Sequence, residues 1–146
     1  MPDEWDVVVR RAGIVEVIEA RIAIEVEAAA LAAERRTPAE LRAMRRALAD
    51  RLAKRSTVEE HVDADWVFHR RVVEAAHNPI LTELFDGFVP RNRQAMIEML
   101  RIHGSYGGEA DQELHARIVD LVAAGDGRAA AELSRDHLMA MKQLLG

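Results

Sequence analysis

This sequence predicts an all-α fold, an antiparallel bundle of helices, and three observations predict it. Ala, Leu, Glu and Arg dominate while the chain holds only 8 Gly and 4 Pro, a balance that favours helix wherever packing does not decide. Apolar residues recur at three- and four-residue spacing in every long segment. Helix-start signals precede those segments at Thr37, Thr57 and Asn78.

Each element follows in order. From Ile14 to about Arg35 the chain is apolar nearly all round, broken by Glu16, Glu19, Arg21, Glu25 and Glu27, as suits a helix packed on more than one side. Thr37-Pro38-Ala39-Glu40 supplies an N-cap, a proline at the first helical position and a glutamate to close a capping box, starting a second helix that runs to about Arg55. Thr57-Val58-Glu59-Glu60 repeats the pattern and opens a third, with Val62, Trp66, His69, Val73 and Ala76 on one face. Asn78-Pro79 ends that helix and caps the next, which carries Leu81, Leu84, Phe85 and Phe88 to a kink or restart at Pro90. A fifth helix reaches about His103, and Gly104-Ser105-Tyr106-Gly107-Gly108 is a loop. A sixth runs from about Glu109 to Ala124. After the turn at Gly125-Asp126-Gly127, a last helix reaches about Leu145 with the stripe Ala130, Leu133, His137, Met141 and Leu144. Residues 1–12 show no sustained periodicity and read as a linker remnant before one helical domain, 13–146.

Composition narrows the function. Apolar residues are 49% and charged residues 31%, the balance of a soluble globular protein. Aromatics are 4%, so the core must be aliphatic. A net charge of -5 argues against nucleic-acid binding by this chain itself, because neutralising phosphates needs clustered Lys and Arg. With no Cys there is neither a disulfide framework nor a thiolate metal site, a pattern compatible with a reducing cytoplasm. No apolar run approaches the roughly 18 residues that span a bilayer, and the acidic start Met1-Pro2-Asp3-Glu4-Trp5-Asp6 carries no signal-peptide pattern. A cytoplasmic protein is expected.

Four residues carry the candidate chemistry. Asp65 and His69 are four apart, so on a helix their side chains share a face and can converge on one ion. That spacing alone also describes a surface ion pair. The last two helices add to it: residue 126 lies midway between His115 and His137, so the two imidazoles stand at similar height on adjacent antiparallel helices. Ile118, Val119 and Val122 share the face of His115, and Leu133 and Met141 that of His137, which aims both rings inward. Imidazole nitrogens with a carboxylate suit Zn²⁺, Ni²⁺, Mn²⁺ or Fe²⁺, with zinc foremost. Four ligands either close a tetrahedral structural site or leave two positions of an octahedral one open.

These pieces carry a resemblance. Glu19-Ala20-Arg21-Ile22-Ala23-Ile24-Glu25 followed by Leu31-Ala32-Ala33, Asp65-Trp66-Val67-Phe68-His69, Ala75-Ala76-His77-Asn78-Pro79, and His115-Ala116-Arg117-Ile118 through Gly125-Asp126 to His137-Leu138 stand in an order and spacing similar to the ligand-binding and dimerisation domain (FCD domain) at the C-terminus of FadR-type regulators of the GntR family. The resemblance covers the chain from about residue 13. It implies a bundle of six or seven helices with a central cavity, one divalent metal ion on Asp65, His69, His115 and His137, a small organic acid as effector, and a homodimer. It also implies that Arg21 helps bind the effector carboxylate; an i,i+4 ion pair with Glu25 is the other reading of that arginine. Only about twelve residues precede the first helix, so DNA binding is expected to belong to an attached winged helix-turn-helix domain absent from this chain.

Two rivals remain. A metal-dependent hydrolase also needs a general base in the pocket, and no HExxH or comparable motif is present. Glu113, the nearest carboxylate, lies two residues before His115 and so points away from it. No enzyme is expected. A structural metal in a pure dimerisation module is the second rival. Of the remaining histidines, His61 reads as solvated and two residues off the ligand face, His77 as a helix-boundary residue, and His103 as a cation at a helix C-terminus.

Overall fold

A computed structural model of the protein describes Glu4 and residues 13–146; apart from Glu4, the expected linker remnant lies outside the described residues. The described residues form seven α-helices and no strand: α1 (Ile14–Arg35), α2 (Pro38–Ala53), α3 (Val58–Ala75), α4 (Pro79–Phe88), α5 (Arg93–His103), α6 (Glu109–Ala123) and α7 (Gly127–Leu145), with a 3-10 turn at Pro90–Asn92 before α5.

The caps explain the boundaries. Thr37 Oγ1 accepts from the Glu40 N–H at 3.2 Å while Glu40 Oε1 accepts from the Thr37 N–H at 2.8 Å, so the expected capping box starts α2. At α3 only half of the box forms: Thr57 Oγ1 accepts from the Glu60 N–H at 3.1 Å. Asn78 Oδ1 takes the N–H groups of Ile80 and Leu81 and starts α4. Pro90 restarts the chain through the 3-10 turn rather than kinking one continuous helix.

Helix α1 sits centrally, packed against α7, α3, α6 and α4. Glu19 meets Lys142 at one end and Ala30 meets Gly127 at the other, so α1 and α7 run antiparallel. Arg51 reaches Asp111 and Arg45 reaches Asp120, which sets α2 antiparallel to α6. A Cβ on Gly127 would lie 3.0 Å from the Ala30 carbonyl oxygen, so glycine permits this close approach of α7 to α1.

The core is aliphatic, as its composition requires. Ala29, Ala32, Met44, Ala47, Phe68, Val72, Val119 and Val122 join α1, α2, α3 and α6 in one cluster. Ile18, Leu138 and Leu145 join α1 to α7. Each fully buried large side chain contributes roughly 1.5–3 kcal/mol. One expectation on α7 needs correcting: Ala130, Ser134, Leu138 and Leu145 are its buried residues, whereas Leu144 is 54% exposed. The helix turns that row toward α1 and leaves His137, Met141 and Leu144 facing a cavity. The apolar faces of α1 are likewise consumed inside this chain, not left at the surface.

Candidate metal centre

Three helices bring the four expected residues to one place. Asp65 and His69 stand one turn apart on α3, His115 comes from α6 and His137 from α7. The His115 and His137 rings are 4.7 Å apart, centroid to centroid, and those of His69 and His137 stack at 5.7 Å. Each of the three histidines offers a nitrogen within 4.8 Å of the others. Asp65 Oδ1 lies 3.3 Å from Nε2 of His69 and 3.4 Å from Nε2 of His115. His115 is fully buried and His69 nearly so.

The hydrogen bonds behind the rings settle which nitrogens face the centre. His69 Nδ1 lies 2.6 Å from Glu25 Oε1, and His115 Nδ1 lies 2.7 Å from the Asp111 carbonyl oxygen. Both partners are acceptors, so both Nδ1 atoms carry hydrogen and both rings turn Nε2 inward. Those two Nε2 atoms stand 3.3 Å apart with Asp65 Oδ1 beside them. Lone pairs on two neutral rings and a carboxylate thus converge. His137 Nε2 is buried with no hydrogen-bond partner among the described residues. Converging acceptors of this kind call for a cation or a proton between them. Imidazole nitrogen with carboxylate oxygen, and no thiolate in the chain, is the donor chemistry of borderline divalent ions. These residues fit such an ion.

The electrostatics of these side chains by themselves favour a proton on His69, the same demand for positive charge that an ion would meet with both rings neutral. Burial works against a charged His69, but Asp65 and Glu25 outweigh it and raise the ring to about 9. Burial also opposes ionised Glu25, and Arg21 with His69 overturns that, holding the carboxyl at about 2. Asp65 lies well below the ordinary range: burial opposes its charge, while His69, His115 and Arg51 favour it. His137 moves opposite to His69, down to about 3, because burial and then His115 and His69 disfavour its cation.

Arg21 is buried on α1 and forms the alternative ion pair: its Nε donates to Glu25 Oε2 at 2.6 Å. Nη2 also faces Glu25, while Nη1 has, among the described residues, only the Met141 sulfur at 3.9 Å. Arg51 is equally buried, and each of its three guanidinium nitrogens already donates to an oxygen, of Asp65, Gln112 and Asp111. A cavity of about 720 Å³ opens beside the cluster, with Arg21, Arg51, Asp65 and His137 in its wall.

Three residues of this surround escaped the sequence reading. Glu25 and Arg51 reach the cluster from α1 and α2, a relation that spacing along one helix does not reveal, whereas Asp111 stands four residues before His115 on α6 and was open to the same spacing argument that joins Asp65 to His69; for Arg51 the signal was a charged residue in an apolar stripe with Met44 and Ala47. His61 is a correction. It is 7% exposed, lines the cavity and packs against Tyr106 at 5.2 Å between ring centroids. It precedes Asp65 by four residues, which puts it on the ligand face rather than off it. Glu113 is exposed, His103 is exposed at the end of α5, and His77 follows α3 with φ 54° and pairs with Glu40 at 2.8 Å.

Comparison with known proteins gives the family. The chain is 29% identical over 139 residues to the HTH-type transcriptional regulator LutR of Bacillus subtilis (strain 168), covering 93% of this chain and 64% of that protein. It is 30% identical over 134 residues to the putative L-lactate dehydrogenase operon regulatory protein of Escherichia coli (strain K12) and to that of Shigella flexneri, covering 84% of this chain and 48% of each relative. The chain therefore spans about half to two thirds of the length of these curated relatives. The FCD domain family matches residues 16–140, a span that holds Arg21, Asp65, His69, His115 and His137. The chain belongs to the FCD domain family.

Proposed function

We propose that this chain is the effector-sensing and dimerisation domain of a transcription regulator, holding one divalent metal ion, zinc foremost, on Asp65, His69, His115 and His137 and binding a small carboxylate beside it. The observation that carries the reading is the convergence of Asp65 Oδ1 with the inward Nε2 atoms of His69 and His115, next to the unpartnered Nε2 of His137. When bound, the ion supplies a Lewis-acidic centre with open positions for a carboxylate oxygen.

The chain's own residues do the rest. Glu25 and the Asp111 carbonyl hold two imidazoles in the required tautomer and orientation. Arg21 keeps Nη1 for an incoming carboxylate, whereas each guanidinium nitrogen of Arg51 already donates to an oxygen. With the histidines neutral, Arg21 and Arg51 against Glu25, Asp65 and Asp111 leave the surround one negative charge. A divalent ion turns that to one positive charge, which a monocarboxylate neutralises. A cavity walled by Asp65 and His137 favours sensing over a purely structural ion. The relatives' names are those of regulators, which favours sensing over hydrolysis. DNA contact is assigned to an attached winged helix-turn-helix, because this chain carries a net charge of -5.

The test is a thermal-shift panel of mono-, di- and hydroxycarboxylates on metal-loaded protein. A ligand that binds only the folded state stabilises it by about 2.7 kcal/mol at a hundredfold excess over Kd. Stripping the metal should abolish most of the shift, and Arg21→Ala should reduce it without releasing the ion. No shift on metal-replete protein, or the same shift after stripping, would make a structural ion the better reading.

A further inference from the structure

The cavity is sharply divided in character. Its charged groups other than a rim pair gather at one end, where Arg21, Arg51 and Asp65 meet His137. The rim pair, Arg93 with Asp63, is exposed and satisfied at 2.6 Å. The rest of the wall is mostly carbon and sulfur, from Val17, Trp66, Met96, Leu100, Met141 and Leu145, with the buried indole N–H of Trp66 and the polar groups of His61, Ser105 and Tyr106 among them. Methionines adapt to a variable apolar surface. Leu144, 54% exposed, also turns to this space, so a large apolar side chain is held at a wall that water alone would disfavour.

Size points the same way. Pockets of roughly 300–1,000 Å³ enclose drug-sized ligands. A short hydroxy acid such as lactate would satisfy the charged end and leave most of the 720 Å³ without a partner.

We propose that the effector is an amphipathic carboxylate, its acid group at the Arg21 and His137 end and a hydrocarbon body of several carbons, a chain or an aromatic ring, along the wall formed by Trp66, Met96, Leu100 and Met141. This rests on the carboxylate-sensing reading above and narrows it. The short acids engage only the charged end, so they bind weakly. Each further methylene that enters the apolar wall tightens binding about fourfold, until the cavity is full.

Calorimetry on metal-loaded protein tests this with a homologous series: lactate, 2-hydroxybutyrate, 2-hydroxyhexanoate, 2-hydroxyoctanoate and 3-phenyllactate. Kd is expected to fall by about fourfold per methylene. Ala140→Trp supplies the control, because Ala140 is exposed, lines the cavity and can take a large side chain without disturbing the core. It should weaken the longest acids by about tenfold and leave lactate unchanged. Lactate binding as tightly as the long homologues, or an equal effect of Ala140→Trp on both, would overturn the amphipathic ligand and leave carboxylate sensing standing. If no acid of any length binds, both readings fall together.

Discussion

Glu25 touches no position where an ion would sit, yet it governs one that does. Its carboxylate holds His69 Nδ1 at 2.6 Å and Arg21 at 2.6 Å, so Glu25→Gln removes charge while keeping shape. Outer-shell partners of this kind are worth about 10–100-fold in metal affinity. That loss is expected for Glu25→Gln in competition with a chelator, and unchanged affinity would mean that His69 is not oriented through Glu25. Leaving Arg21 buried without its partner should also cost about 3–5 kcal/mol of stability, read by denaturant unfolding. At this scale the sequence was partly legible. Helical spacing within α3 and symmetry about Asp126 sufficed to bring Asp65, His69, His115 and His137 under suspicion; the structure gathers the three histidines and sets Asp65 beside two of them, His69 and His115. Glu25 was not legible in this role, because its importance lies in the ring that faces it from another helix; Asp111, four residues before His115 on α6, was legible by spacing and passed over. His61 was legible and misread, since four residues from Asp65 is the same spacing that joins Asp65 to His69.

Elements are held by their ends. Glu40 closes the α2 capping box and pairs with His77 at 2.8 Å, tying the start of α2 to the turn just beyond α3. Slight burial opposes its charge, and the Thr37 N–H and His77 outweigh it, so its pKa is lowered in the fold. A lowered carboxylate contributes stability that is present above its unfolded value near 4.5 and is lost as pH falls through the lower folded value. Glu40→Gln should therefore cost about 1 kcal/mol at neutral pH and show a shallower loss of melting temperature below pH 4.5 than the parent. Parallel pH profiles would remove Glu40 from this role. At the other end of the bundle, Gly127→Ala sets a methyl 3.0 Å from the Ala30 carbonyl. Overpacking of this kind costs about 1–3 kcal/mol, so a melting temperature lower by about 2–4 °C or more is expected despite alanine's better helix propensity. A rise would show that α7 slides freely on α1. Caps made most boundaries legible, because Thr, Pro and Asn act locally. The buried row of α7 was not legible, because Leu144 and Leu145 both fit an apolar stripe and only the approach of α1 decides between them.

For the whole molecule, helix order and the short connections were legible, while the central place of α1 was visible only as an all-round apolar segment. The apolar faces of that segment are covered within the chain itself. A homodimer is still expected by light scattering at tens of micromolar, and it must draw on other apolar side chains left outside, Leu52, Ile80, Leu84 and Ile102 among the described residues. A monomer throughout that range would contradict it. The metal itself is tested most directly by elemental analysis of protein purified without chelator and reloaded with Zn²⁺, Ni²⁺ or Mn²⁺, beside His115→Ala, His137→Ala and His103→Ala. About one ion per chain is expected, because four converging ligands bind borderline divalent metals tightly at neutral pH. His115→Ala and His137→Ala should lose it, and His103→Ala, exposed at the end of α5, should keep it. No ion after reloading, or equal losses in all three variants, would contradict a metal centre on Asp65, His69, His115 and His137.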